Sequence, residues 1–418
     1  MKTSSFLTFF ALLNLFSATC FAQGEAAVPF LLLNPSPSLS AMGATGTALP
    51  TEDPFGFLWN PAQLGYTSQT NNLSFIFYPS KIEWIPAFNL DLELKAIAFN
   101  AGYNFKDVIS IPISFGFGYS NPEFDYGTFV RTDENGNVIG TFEAKDYYNA
   151  YSFGLGIDFG VQLSVGYTIK DVTSILVDEP TGSDSNDIKA ETTLNDFGLL
   201  LNVPVLKLID DKMNLELNEE LTAFPAFNLS LGYAKSNIGD SIAYIDANQS
   251  DPLPRVERIG YGISAGFDLA TSDFRFNAFN LSFTVEAEDI LVSRTWISVN
   301  HWEYQDDLDF WENVILIKGN QKVVSHAGTK LDFAETFSYS FGHFSGRGYG
   351  QRKTNGYELR AKGLLKLCAL WAQHPVTDFL RDHFDIRYYN TNYFTDHELE
   401  TKMTGLAFYV HNLNELFE

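Results

Sequence analysis

The chain has 418 residues and a formal net charge of −24, from 51 acidic against 27 basic residues. That balance excludes nucleic-acid backbones as partners, because they demand clustered Lys and Arg. Aromatic residues make up 15% of the chain while mean hydropathy is only −0.07, a pairing that disfavours a soluble globule and suits a protein with one greasy and one watery face.

The chain opens with Lys2, an almost wholly apolar stretch from Phe6 to Phe16, and then Cys20-Phe21-Ala22. Small residues at the −3 and −1 positions suit signal peptidase, so residues 1–22 read as a signal peptide cut after Ala22. Thr19 is a poor residue before a lipidated cysteine, which disfavours a lipoprotein. Cys368 is then left alone and no intramolecular disulfide is expected. No apolar run of ~18–20 residues follows, so no membrane-spanning helix is expected. An exported chain without such an anchor is either free in solution or a closed transmembrane barrel.

Residues 23–70 have a character of their own. Ala27 to Leu33 is apolar, Met42-Gly43 and Gly46 follow, and the segment closes on Trp59-Asn60-Pro61-Ala62. Gly43 and Gly46 permit close backbone packing or positive φ. Pro61 is suited to start a short helix capped by Asn60.

From residue 71 to 418 the informative signal is a period of two. In Ile109-Ser-Ile-Pro-Ile-Ser-Phe-Gly-Phe-Gly-Tyr119 every odd residue is large and apolar. Tyr151 to Phe159, Val161 to Ile169 and Phe227 to Tyr233 repeat the pattern, and Phe88, Leu90, Leu92 and Leu94 alternate with polar residues. Each run therefore has one greasy face and one small or polar face. A soluble sandwich would turn the greasy face inward, whereas small inward residues leave room for a lumen or a plug. Pro112 marks a bulge or a strand start, since it cannot donate to a ladder. The runs number about fourteen, an even count being expected of a bacterial barrel. The fold class expected is all-β, a transmembrane antiparallel barrel of about fourteen strands.

Asp133-Glu-Asn-Gly-Asn137 signals a hairpin, and Gly182 to Asp187 reads as a solvated acidic loop. Two longer insertions fall near 289–325 and 370–385. In the first, Leu308, Trp311, Val314 and Ile315 have helical spacing and suggest a short helix over one mouth; the second holds Pro375 and another short helix. Long loops belong outside and short turns at the periplasmic rim, so the first insertion is expected to face outward. No nucleophile elbow, P-loop or zinc-protease motif occurs. The seven histidines are scattered, so no enzyme activity, metal or cofactor is expected.

The stretch from Ala27 to Ala62 resembles the N-terminal signature of the PorV/PorQ family of outer-membrane proteins, relatives of the FadL long-chain fatty-acid transporters. Arg131 to Phe142 and Ser236 to Pro254 are similar to further segments of that family. The likeness spans about Val28 to Asp268, without the arginine that often precedes the Met-Gly pair. The resemblance implies an outer-membrane barrel whose residues 23–70 form a plug, with Met42, Gly43, Gly46, Trp59, Asn60, Pro61 and Ala62 as the plug motif. It implies first an accessory role in type IX protein secretion and surface attachment. The alternative is FadL-like import of hydrophobic molecules such as fatty acids, released through a lateral opening near a strand kink. The partners expected are outer-membrane lipid together with secreted proteins or secretion components, or with a hydrophobic small molecule.

Overall fold

The computed structural model describes residues 26–178, 188–210, 212–218, 221–245, 250–271, 275–294, 302–369, 374–395 and 397–416. The expected signal peptide, Gly182 to Asp187 and Phe417 lie outside them. Among the described residues, fourteen antiparallel strands close into one ring. They are β1 (Leu73–Phe77), β2 (Ile97–Asn104), β3 (Ile113–Ser120), β4 (Val138–Asp158), β5 (Gln162–Val177), β6 (Ile188–Pro204) and β7 (Leu221–Gly239). The second half is β8 (Val256–Ala270), β9 (Arg275–Ile290), β10 (Val323–Phe333), β11 (Phe337–Gly346), β12 (Tyr349–Arg360), β13 (Phe384–Thr395) and β14 (Thr401–Val410). Closure comes from β1 against β14, with Leu73 opposite Val410. A closed ring leaves no ladder edge within the bilayer, which is what allows strands to cross it.

The alternation behaves as expected. Ser114, Ser152 and Thr168 are fully buried inside, while Phe115 and Leu163 on the same strands are 40% and 46% exposed. The outward face is thus the greasy one, the inverse of a soluble sandwich. The run from Ile109 becomes a strand only at Ile113, directly after Pro112. Phe88 to Leu94 departs from expectation: only Glu93–Lys95 is strand, and Pro86–Phe88 forms a 3-10 turn ending at Asn89 with φ +50°. Pro86 has no N–H for a ladder, and the left-handed Asn89 reverses the chain.

We call the end where β1 begins proximal and the other distal. Near the distal end the wall is interrupted. Residues 78–81 lie opposite only residues 95–96, so Tyr78-Pro79-Ser80-Lys81 forms a wide bulge. The neighbouring ladder breaks at Asn121-Pro122 before resuming as Glu123–Thr132. That strand and the first part of β4 form a ribbon beyond the barrel, turned at Asp133–Asn137, where Asp133 accepts the N–H groups of Asn135 and Asn137. At the proximal end, two helices, Ala361–Ala369 and Pro375–His383, connect β12 to β13. The insertions expected near 289–325 and 370–385 therefore sit at opposite ends.

Candidate functional site: the plug and its seat

Residues 26–70 run through the lumen from distal to proximal end. Ala27 N–H donates to the Pro252 carbonyl at 2.9 Å. Phe30 then packs on Phe124 and Tyr148 at centroid distances of 6.1 and 5.5 Å. The short helices α1 (Pro37–Ala41) and α2 (Gln63–Thr67) follow, and the segment feeds into β1. Ser36 caps α1 by accepting the Leu39 N–H at 3.0 Å, while Pro37 fills the first helical position, where no N–H is needed.

The structure brings all seven motif residues against the wall or against the plug's own turns. Gly43 has φ +76° and donates to Thr354 Oγ1 at 2.8 Å, and its carbonyl meets His326 Nδ1 at 2.7 Å. A Cβ there would stand 2.6 Å from the Ala327 carbonyl oxygen, so glycine is required on both counts. Met42 is buried with its backbone against Gly328. Asn60 Oδ1 accepts the Ala62 N–H at 3.0 Å, and its Nδ2 donates to Thr47 O and Leu199 O at 2.7 and 3.0 Å. It thus ties two stretches of plug to β6. Pro61 lies over Gly166 and Gly198, where any wall side chain would collide with the plug backbone. Trp59 stacks under the Arg258 guanidinium at 3.8 Å.

The residues that hold the plug from the wall side were not singled out from the sequence. Glu286 on β9 accepts the N–H groups of Gly46, Thr47 and Ala48 at 3.0, 2.8 and 3.0 Å. Three successive amides around one carboxylate form an anion nest with its anion supplied by the barrel. Arg258 pairs with Glu288 at 2.7 Å. The plug and the wall also share an ion pair: Glu52 of the plug meets Arg387 of β13 at 2.5 Å. The signal that could have found these residues is a charged side chain on a strand's small face, as in Thr284-Val-Glu286-Ala-Glu288.

The surroundings of the plug change along its length. Distally, Val28, Phe30 and Leu31 are buried with Trp84, Phe124 and Leu194 in one apolar cluster. Proximally, a cavity of about 230 Å³ lies between plug and wall, lined by Glu52, Asp53, Lys330, Glu358, Arg360 and Arg387 among others. Several of these residues also border a wider mouth of about 480 Å³ that reaches His411. Burial raises the Glu52 carboxyl, yet the charge and hydrogen bond of Arg387 together with the charges of His411 and Arg360 outweigh it and hold the group well below the usual carboxylate range. Asp53, buried and bonded to Ser36 and the Phe55 N–H, is pushed up to about 6 by desolvation. Burial pushes the His411 imidazole down to about 4.

Fold and site together define a plugged transmembrane β-barrel. No family model matches the chain, and no curated protein matches it in sequence. Among solved structures, the toluene transporter TbuX of Ralstonia pickettii is 11% identical, with 90% of this chain and 98% of that one covered and a TM-score of 0.41. The CymD monoaromatic hydrocarbon channel is 11% identical over 91% and 98%, with a TM-score of 0.36. A Pseudomonas aeruginosa FadL homologue is 8% identical over 88% and 95%, with a TM-score of 0.33.

Proposed function

We propose that this chain is an outer-membrane barrel that takes up hydrophobic small molecules by displacing part of its own plug. The observation that carries this reading is the apolar distal chamber, filled by Val28 to Leu33. Val28 holds φ +52°, a strained conformation for a β-branched residue. The Pro29–Leu32 turn is 3-10, and its two internal bonds, Leu31 N–H to Val28 O and Leu33 N–H to Phe30 O, are local. A strained apolar peptide in an apolar chamber is a stand-in that a hydrophobic solute can replace. The proximal cavity below is charged, so a solute of that kind has no favourable way through it. The bulge at residues 78–81 and the break at Pro122 lie in the chamber's own wall and offer a sideways exit.

The test is binding of a fluorescent hydrophobe by purified protein with and without Phe30→Ala. Truncating a buried phenylalanine empties space worth ~3–5 kcal/mol of packing, so the variant should bind more tightly than wild type. Absence of binding by both proteins sinks the proposal.

A second reading, docking of secreted proteins as the PorV/PorQ resemblance implies, is favoured by one feature. The ribbon beyond the barrel exposes Phe129, Val130, Val138 and Ile139, and an exposed apolar ribbon invites a partner strand. Co-purification of secreted proteins that is lost on Phe129→Ser, with no bound hydrophobe, would establish that reading instead.

A further inference from the structure

The segment between β9 and β10 was expected to place its helix over a mouth, with Leu308, Trp311, Val314 and Ile315 on one face. The structure places residues 307–316 against the outside of the wall. The turn Phe310–Ile315 is a π-helix, with Leu316 N–H bonded to Trp311 O at 3.0 Å. That wider winding splits the four residues between two faces. Leu308 and Val314 pack on Ala287, Val323, Ile259 and Tyr261. Trp311 and Ile315 face away.

Parity along the strands fixes the side of the wall. Glu286 and His326 turn inward onto the plug, so Ala287, Asp289, Val323 and Ser325 point outward. All four are nevertheless buried, between 0% and 1% exposed. The segment covers them and is bonded to them: Ser325 Oγ donates to Asn313 O at 2.8 Å, and Asp307 N–H donates to Asp289 Oδ2 at 2.6 Å. A small and polar strip of the outer wall is thus screened by a clamped collar. On the collar's far side, Phe310, Trp311, Ile315 and Leu316 are 46%, 64%, 38% and 46% exposed, beside the charged Glu312 and Lys318.

We propose that this collar is seated in the bilayer, with Phe310, Trp311, Ile315 and Leu316 resting in lipid at the boundary of the leaflet on the distal side. The occupant is lipid because the patch continues an apolar surface already facing lipid. Phe279 and Phe333 meet at a tilt on β9 and β10, Leu281 follows, and Tyr261 with Phe283 leads directly to Leu308. Aromatic residues beside charged ones are the composition of a membrane interface. Bare Asp289 and Ser325 would be a costly surface for lipid, which gives the collar its physical reason.

The experiment uses the full chain in phosphatidylcholine vesicles and reads the tryptophan emission that disappears in Trp311→Phe. That component should be blue-shifted, roughly halved in intensity by lipids brominated near the headgroup, and insensitive to iodide in the buffer. Quenching by iodide with no response to brominated lipid would place the patch in water and overturn the proposal. Shielding from both quenchers, with a dimer by native mass spectrometry that Trp311→Asp dissociates, would overturn it in favour of a second copy of the chain.

Discussion

Glu286→Gln is the sharpest perturbation of the plug. Thr47 and Ala48 both donate to Glu286 Oε1, and Gly46 donates to both oxygens. Glutamine can keep its oxygen at the first position, so no amide need be orphaned there; what disappears is the charge and the second acceptor. Hydrogen bonds to a charged group contribute ~1.5–3 kcal/mol each against ~1 for neutral ones. The three bonds together should therefore lose about 3 kcal/mol, roughly a hundredfold in the local opening equilibrium. Hydrogen exchange of the reconstituted protein, followed on the peptide spanning residues 43–49, reads that number directly. The barrel strands should keep their wild-type protection, since the ring closes without Glu286. Unchanged exchange in residues 43–49, in a variant whose barrel is intact, would show that the nest does not hold the plug and would refute the reasoning.

Three further outcomes follow from the same contacts. Gly166→Val puts a branched side chain into the Pro61 backbone, so the plug should be displaced and become sensitive to protease while the barrel still resists heat in detergent. Arg258→Lys removes the planar stack on Trp59 and should cost about 1–2 kcal/mol of plug stability, read as a shift in the emission lost on Trp59→Phe. Asp53→Asn should unmask acid lability. Asp53 is raised to about 6, so its ionised form weighs against the fold above that pH and is relieved as pH falls towards 3.8. His411 is lowered to about 4, so the stability tied to its neutral form is lost as pH falls from 6.5 towards 4. Each amounts to roughly 3 kcal/mol of opposite sign. The thermal midpoint of the variant should thus fall relative to that of wild type as pH goes from 7 to 4.5; parallel curves would contradict this.

The barrel was legible because its side-chain period is short and unbroken. Ser152, Gly154 and Gly156 alternate with Phe153, Leu155 and Ile157, and no tertiary contact is needed to assign their faces. The motif residues of the plug were legible as residues but not as contacts. Gly43 meets a threonine 311 positions away, and Gly46 meets a glutamate 240 away. No local pattern encodes such pairings. Two elements were misread for physical reasons: Phe88 to Leu94 alternates like a strand yet follows a proline turn, and Leu308 to Ile315 has α-helical spacing yet winds as a π-helix. In both, one residue's backbone chemistry or one turn's winding overrode a side-chain period that was itself correctly read.

The two sides of the lumen hold the plug by different physics. Along β2 to β6 the wall offers Gly102, Gly116, Gly154, Gly166 and Gly198, and the plug backbone from Asn60 to Ser68 lies directly on them. That contact is a fit of surfaces, and it resists sliding because any shift drives backbone into backbone. Along β9 to β13 the wall offers Glu286, Lys330, Glu358, Arg360 and Arg387, and the proximal cavity lies on this side. Ion pairs exchange partners with water far more readily than a packed surface parts, particularly where a cavity already admits solvent. The α2 region is therefore the fixed jaw, and residues 50 to 53, which border the cavity beyond the Gly232 and Gly262 seats of Thr47 to Leu49, are the looser one. Displacement of Val28 to Leu33 by a hydrophobe, as proposed, needs neither jaw to leave: the apolar peptide lies distal to both, so the chamber can be vacated while the charged floor stays closed.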